Sequence, residues 1–294
     1  MRAPVNRTFM LALTVIILAG IGEWFLAGLY GKDEVSCSVA SFPVTLPDVP
    51  EASGIAQSNR SSSLFWTMND TGEPTLFAVM TDGQVRARVR VPGAEVRNWE
   101  DLSVGACPTG SCVYIADIGD NRQTRQSIRI YRVPEPAAHE RVTATAEMFE
   151  GKYPDGPHDA EAAFILPDKR FYVITKDKYS RVYRFPLESG TVTTLELVTM
   201  LPLNNVTDAD ASSDGTRVAV RTHDDVVFYR TSELLKGDVE HGSAVRTTDV
   251  GEPQGEGVAF SRTGAIVLAG EGGGSKRKPR PGTLASLQCR FNGA

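Results

Sequence analysis

Hydrophobic positions form one long block near the N-terminus and then a series of short ones. Phe9 to Tyr30 is an apolar run of 22 residues, interrupted by Glu23 alone. A helix needs about 20 apolar residues to span a bilayer, so this block predicts one transmembrane segment. Arg2 and Arg7 precede it, and Lys32, Asp33 and Glu34 follow. That asymmetry puts the N-terminus inside and the remainder outside the cytoplasm. A cleaved signal peptide, giving a secreted chain, is the alternative. The run is longer than the ~7–15 residues of a signal-peptide core, and no convincing cleavage site follows it. Glu23 would cost on the order of 3 kcal/mol in mid-membrane. The expected organisation is a signal-anchor over 1–34 and a single folded domain over 35–294.

After residue 34 no helical period appears. Short runs rich in Val, Ile, Phe and Tyr alternate with Gly, Pro, Asn and Asp, the pattern of many strands joined by turns. Five stretches recur: Ser53-Gly54-Ile55-Ala56, Glu100-Asp101-Leu102-Ser103, Glu161-Ala162-Ala163-Phe164, Asp210-Ala211-Ser212-Ser213 and Glu256-Gly257-Val258-Ala259. Their spacings are 47, 61, 49 and 46 residues, against ~40–50 for a propeller blade, so the longest reads as a blade with longer loops. A second strand follows each stretch, at Leu64 to Met68, Val113 to Ala116, Phe171 to Thr175, Arg217 to Arg221 and Ala265 to Ala269. A third carries a repeated pair, Tyr131-Arg132, Tyr183-Arg184 and Tyr229-Arg230. Fourth strands are expected at Gln84 to Val91 and Thr191 to Met200. The last repeat lacks a fourth strand, and Val35 to Leu46 supplies one. The sequence therefore predicts an all-β propeller of about five four-stranded blades, closed by its N-terminal strand. Six blades and a β-sandwich are the alternatives.

Cysteine positions strengthen this phasing. Cys37, Cys107, Cys112 and Cys289 all follow the apolar block, and an even count outside the cytoplasm favours disulfides over zinc ligation. Four cysteines allow three pairings. Cys107 and Cys112 flank the turn Pro108-Thr109-Gly110-Ser111, so they pair locally. Cys37 then pairs with Cys289, where closure places the first and last strands side by side.

Charge narrows the partners. Lys plus Arg total 31 and Asp plus Glu 36, a formal charge of -5, which lacks the basic footprint of a nucleic-acid binder. In four repeats the aligned residue is acidic: Glu100, Glu161, Asp210 and Glu256. Two residues earlier stand Glu51, Asn98, Asp159, Asp208 and Gln254. Inner strands line a propeller channel, so these acids are expected to converge on the axis, with Asp117, Lys176 and Arg221 nearby. Crowded carboxylates repel unless something positive lies among them. Hard oxygen ligands suit calcium or another divalent cation. Two readings compete with a metal: Lys176 and Arg221 bridge the acids, or the acids accept backbone N–H groups at the strand starts. Asp117-Ile118-Gly119-Asp120-Asn121 is oxygen-rich but departs from the calcium-loop pattern, and an Asx-type turn is the simpler reading. His158 and His223 are the candidate bases. No G-x-S-x-G nucleophile motif occurs, and Gly270 to Gly274 is not a phosphate loop. Lys276 to Arg280 is a short basic cluster that reads as a solvated loop or a contact to anionic lipid.

The segments Glu51 to Gly54, Asn69 to Gly72, Asn98 to Asp101, Ala116 to Asn121, Asp159 to Glu161 and Gln254 to Glu256 together resemble a group of secreted actinobacterial β-propeller proteins. At greater distance they are similar to gluconolactonase-type and phytase-like propellers. The resemblance implies acidic and amide side chains holding calcium or another divalent ion in the channel. Two functions follow as expectations. One is a binding module that presents a face to an extracellular protein, glycan or small molecule. The other is a metal-dependent hydrolase of the lactonase or phosphoesterase kind, with a carboxylate or His223 as base.

Overall fold

The computed structural model describes residues 35–275 and 278–292. The apolar block and its expected membrane crossing lie outside these residues, as do Lys276 and Arg277 of the basic cluster. The unit Val35–Arg290 is a five-bladed β-propeller.

Blade 1 holds β2 (Ala52–Gln57), β3 (Leu64–Asn69), β4 (Thr75–Met80) and β5 (Val85–Arg90). Blade 2 holds β6 (Trp99–Cys107), β7 (Gly110–Asp117), β8 (Ile128–Pro134) and β9 (Glu147–Lys152). Blade 3 is β10 (Ala160–Ile165), β11 (Phe171–Thr175), β12 (Ser180–Phe185) and, after β13 (Val192–Thr194), β14 (Glu196–Leu201). Blade 4 is β15 (Val206–Ala211), β16 (Arg217–Thr222), β17 (Asp225–Arg230) and β18 (Ser243–Arg246). Blade 5 begins with β19 (Gln254–Phe260) and β20 (Ala265–Glu271). The two-residue strands β21 (Gly274–Ser275) and β22 (Lys278–Pro279) form a small hairpin before β23 (Gly282–Phe291). The outer strand of blade 5 is β1 (Val35–Leu46), so the N-terminal strand completes the last blade.

Burial follows strand position. The inner strands β2 and β10 are buried along their whole length, whereas β1 alternates half-buried and exposed residues. An inner strand packs on both neighbouring blades, so both of its faces need apolar or small residues; an outer strand has one wet face. Each inner strand packs on two others, and β19 on β2, which closes the ring and displaces the sandwich alternative. The repeated Tyr-Arg pair has the same origin. Tyr131, Tyr183 and Tyr229 are buried between blades, while the following arginines turn outward on the opposite strand face.

Two expectations on the strands need correction or explanation. Thr191 to Met200 is not one strand: β13 leaves blade 3 and pairs in parallel with β9 of blade 2, and only β14 completes blade 3. Leu195 separates the two and is buried in the core between these blades. The 61-residue spacing arises from long connections in blade 2, at 118–127 and 135–146.

Both disulfides are present, with Cα atoms 4.1 Å apart for Cys37–Cys289 and 5.8 Å for Cys107–Cys112. The first joins positions 252 residues apart, the second only 5. On the chain-entropy model these loops correspond to roughly 5 and about 2 kcal/mol. Denaturant titration of the full chain should show Cys37→Ser with Cys289→Ser losing more stability than Cys107→Ser with Cys112→Ser. The reverse order would mean that ring closure does not depend on the first bridge.

Candidate functional site

One irregularity recurs in all five blades. The pairing of the inner strand with the second strand shifts by one residue, between Ala52 and Ile55, Trp99 and Asp101, Ala160 and Ala162, Val206 and Asp208, and Gly255 and Gly257. A β-bulge inserts one residue and re-aims its side chain. The inserted residues are Ser53, Glu100, Glu161, Thr207 and Glu256. The structure thus brings Glu100, Glu161 and Glu256 to one mouth of the channel and places Thr207, not Asp210, at the equivalent point of blade 4. Ser53 and Thr207 turn their hydroxyls onto the neighbouring blade, donating to the carbonyls of Glu100 (2.5 Å) and Glu256 (2.8 Å).

The mouth is a polar cavity of about 110 Å³ lined by Glu51, Asp70, Glu100, Glu161, Glu256 and Glu271, with Lys176, Asn98 and Gln254 among them. Lys176 Nζ donates to Glu161 Oε2 at 2.5 Å. The amides of Asn98 and Gln254 donate to Glu100 and Glu256. Each of these three glutamates is 7% exposed, and each keeps a second carboxylate oxygen to which, among the described residues, no side-chain or backbone donor is bound. Burial, then repulsion from Glu161 and Asp70, holds the Glu100 carboxyl well above its ordinary range. Glu161 is pushed up to about 7 by burial, against the opposing pull of Lys176. Glu256 reaches about 7 by burial, and Asp70 about 7 by burial and the charge of Glu51.

One residue further along each inner strand, the axis is filled. The equivalent residues are Gly54, Asp101, Ala162, Asp208 and Gly257. Asp101 and Asp208 come from non-adjacent blades, are 0% exposed, and face each other across the axis: Asp101 Oδ2 lies 3.5 Å from the N–H of Ala209, the residue that follows Asp208. Asp101 accepts the N–H of Leu102 (2.5 Å) and of Ala163 in blade 3 (2.6 Å). Asp208 accepts the N–H of Ala209 (2.6 Å) and of Val258 in blade 5 (2.6 Å). The first blade contributes by absence: a Cβ on Gly54 would lie 2.6 Å from Asp101 Oδ1. Burial, then the charge of the facing Asp208 carboxylate, holds the Asp101 carboxyl well above its ordinary range.

The remaining expected site residues lie elsewhere. Asp210 is three residues past the bulge, at the opposite mouth, where it accepts the N–H of Phe260 at 2.8 Å. Asp117 is 0% exposed and pairs with Arg125 at 3.1 Å while accepting the N–H of Asn98. Arg125 also binds the carbonyls of Asp117 and Gly119, so this turn is organised around a guanidinium. Arg221 is 0% exposed and joins Glu252 and the carbonyls of Gly257 and Ala269, not the mouth glutamates. His158 has Nε2 3.1 Å from Asp155 and Nδ1 3.3 Å from Asp177, so both ring nitrogens face carboxylates. His223 Nδ1 is 4.0 Å from Glu256 Oε1. Of the four acids expected on the axis, Asp210 accepts a backbone N–H group from the next blade and Glu161 is bridged by Lys176, whereas Arg221 pairs with Glu252 instead.

No family model matches the chain, and no curated protein matches it. Solved structures do. The PQQ-bound aldose sugar dehydrogenase of Streptomyces coelicolor superposes with a TM-score of 0.53 at 10% identity, covering 88% of this chain and 99% of that one. A gluconolactonase from Xanthomonas campestris gives 0.49 at 11% identity, covering 86% and 95%. The calcium-binding regucalcin of Agrobacterium tumefaciens gives 0.46 at 11% identity, covering 86% and 96%. The chain is thus distantly similar in structure to sugar-dehydrogenase and gluconolactonase-type propellers, a likeness of fold.

Two carboxyls with raised values, Asp208 on the axis and Asp210 at the opposite mouth, make stability pH-dependent in a definite direction. Asp208 is pushed up to about 7 by burial and Asp210 to about 8, also by burial. Their unfolded values are near 4. The native state then binds more protons than the unfolded state between those limits. This contribution is full below about pH 4 and is lost as pH rises through 7 to 8. Differential scanning fluorimetry should show the melting temperature falling by about 5 °C or more between mildly acidic and mildly basic buffer. Asp208→Asn should flatten that slope. Asp101→Ala, which leaves two buried N–H groups without acceptors, should cost about 3 kcal/mol. A melting temperature that rises with pH over this range would contradict the assignment.

Proposed function

We propose that this chain is an extracytoplasmic binding propeller, held at the membrane by Phe9 to Tyr30, whose acidic mouth takes up a cationic group of a small molecule, glycan or protein. The observation that carries this reading is the set of three nearly buried glutamates, each with one carboxylate oxygen lacking a donor among the described residues, around a single lysine. Carboxylates in such a setting gain most from a bound positive charge that also donates hydrogen bonds.

The kind of cation follows from the neighbours. Among the described residues no three acidic, histidine or cysteine side chains close on one point as metal ligands. The Lys176 ammonium and the amides of Asn98 and Gln254 already bond to the carboxylates. The arrangement suits an organic ammonium, or calcium that keeps its water shell, better than an ion ligated directly by carboxylates. PQQ, itself a polycarboxylate, would meet repulsion from the same side chains. The hydrolase alternative draws support from His223 alone, the imidazole beside Glu256.

Calorimetric titration of the full chain with spermidine and, separately, calcium tests the reading. Saturable binding is expected with at least one of them. Affinity should rise from pH 6 to pH 8, because the cation displaces protons from carboxyls with values of about 7. Proton release should be visible on comparing buffers of different ionisation enthalpy. Glu161→Gln with Glu256→Gln should weaken binding about tenfold or more, the effect of removing one or two charge-assisted hydrogen bonds. Binding that ignores both substitutions and pH would overturn the proposal. Turnover of a lactone or phosphoester that needs His223 would favour the hydrolase.

A further inference from the structure

The other end of the axis carries a second cavity, of about 250 Å³, to which every blade contributes. One equivalent position per blade contributes Gln57, Val104, Ile165, Ala211 and Phe260, four of them apolar, and Asn59, Ser212, Ser213 and Ser261 add an amide and hydroxyls to the wall. These residues lie four positions past the bulge, so the buried Asp101–Asp208 layer separates this cavity from the acidic mouth. The two ends therefore differ in charge: carboxylates crowd one, and one arginine and one carboxyl stand at the other.

Two polar features distinguish this cavity. Arg262 stands at its rim, placed there by contacts from blade 1: its N–H donates to Gln57 Oε1 at 2.5 Å, and its Nη2 to Asn59 Oδ1 at 2.6 Å. Among the described residues no carboxylate pairs with this guanidinium, and its partner is a neutral amide that leaves further N–H donors open. The second feature is Asp210, the one carboxyl group of the lining. An apolar strip on one part of the wall, beside an arginine that pairs with no carboxylate among the described residues, fits a ligand with a small apolar body and one anionic end.

We propose that this lower mouth binds a small organic carboxylate, its apolar body against Val104, Ile165 and Phe260 and its carboxylate on the Arg262 guanidinium. Asp210 does not oppose this. Its burial pushes the carboxyl up to about 8, so at neutral pH it is an acid that can donate an O–H to the ligand. The site is independent of the acidic mouth in both residues and ligand charge.

Hexanoate and benzoate are suitable probes, with hexylammonium and hexanol as controls, in calorimetric titrations of the full chain. Saturable binding of a carboxylate in the millimolar range or tighter is expected, and neither control should match it. Arg262→Gln, a change at an exposed residue, should weaken carboxylate binding about tenfold, and Arg262→Lys should restore part of it. Asp210→Asn should leave affinity within about threefold, since a neutral group replaces a neutral acid. Glu256→Gln should have no effect, which separates this outcome from any failure of the cation site. Preferential binding of hexylammonium, lost in Asp210→Asn, would overturn the proposal and assign Asp210 as a counter-ion. Absence of saturable binding by both carboxylates, or indifference to Arg262→Gln, would overturn it as well.

Discussion

Two buried aspartates on the axis, Asp101 and Asp208, tie four of the five blades together through backbone N–H groups. Inner strands from five blades converge on a narrow cylinder, and any side chain there must satisfy its neighbours without water. Asp101 and Asp208 do so from non-adjacent blades. Between them they accept N–H groups from blades 2, 3, 4 and 5. The pair fits because the other three residues of its layer are small: Gly54, Ala162 and Gly257. A Cβ on Gly257 would lie 2.7 Å from the Ser53 carbonyl, and one on Gly54 would strike Asp101 itself. Two ionised carboxylates at such proximity would repel strongly in a low-dielectric interior. Burial and this repulsion push both carboxyls upward, and four backbone N–H groups offset part of the cost.

The functional surface follows from this plug. Because the axis is filled, the channel is divided into two mouths rather than forming a pore. The bulge that precedes the plug re-aims one side chain per blade: in three blades it is a glutamate at one mouth, and in the other two a hydroxyl that bonds to the neighbouring blade. Past the plug the same strands present mainly apolar residues at the other mouth. The difference in charge between the two ends thus arises from one strand register repeated around the ring.

Blade phase was legible in the sequence because its signals are physical and local. The Tyr-Arg pairs mark strands with one face against a neighbouring blade, and β-branched runs mark the second strands. Closure by Val35 to Leu46 was legible because a missing outer strand and an unpaired cysteine pointed to the same place. The site was legible in part. Glu100, Glu161 and Glu256 share a mouth, but Asp210 does not, since aligning Asp210 or Thr207 gives spacings of 49 and 46 or of 46 and 49. Spacing alone cannot separate those choices; the bulge does. Asp101 was hidden for the same reason, as it enters a shared column with Asp208 only in the second alignment. Glu51, Asp70 and Glu271 join the mouth from loop and strand-end positions whose convergence is a tertiary fact. The fate of Arg221 depends on Glu252, 31 residues away, which no local pattern links to it.

The titration of this pair can be observed directly. Isotope-labelled aspartate in the full chain would allow the side-chain carboxyl carbons to be followed by NMR as pH is raised, with Asp101→Asn and Asp208→Asn providing the assignments. The account predicts that one carboxyl of this pair keeps its proton at neutral pH, and that titration of the pair is coupled, each substitution changing the behaviour of the remaining aspartate. If both aspartates instead lose their protons near pH 4, as exposed carboxyls do, the axis carries two charges and the account of this pair is wrong.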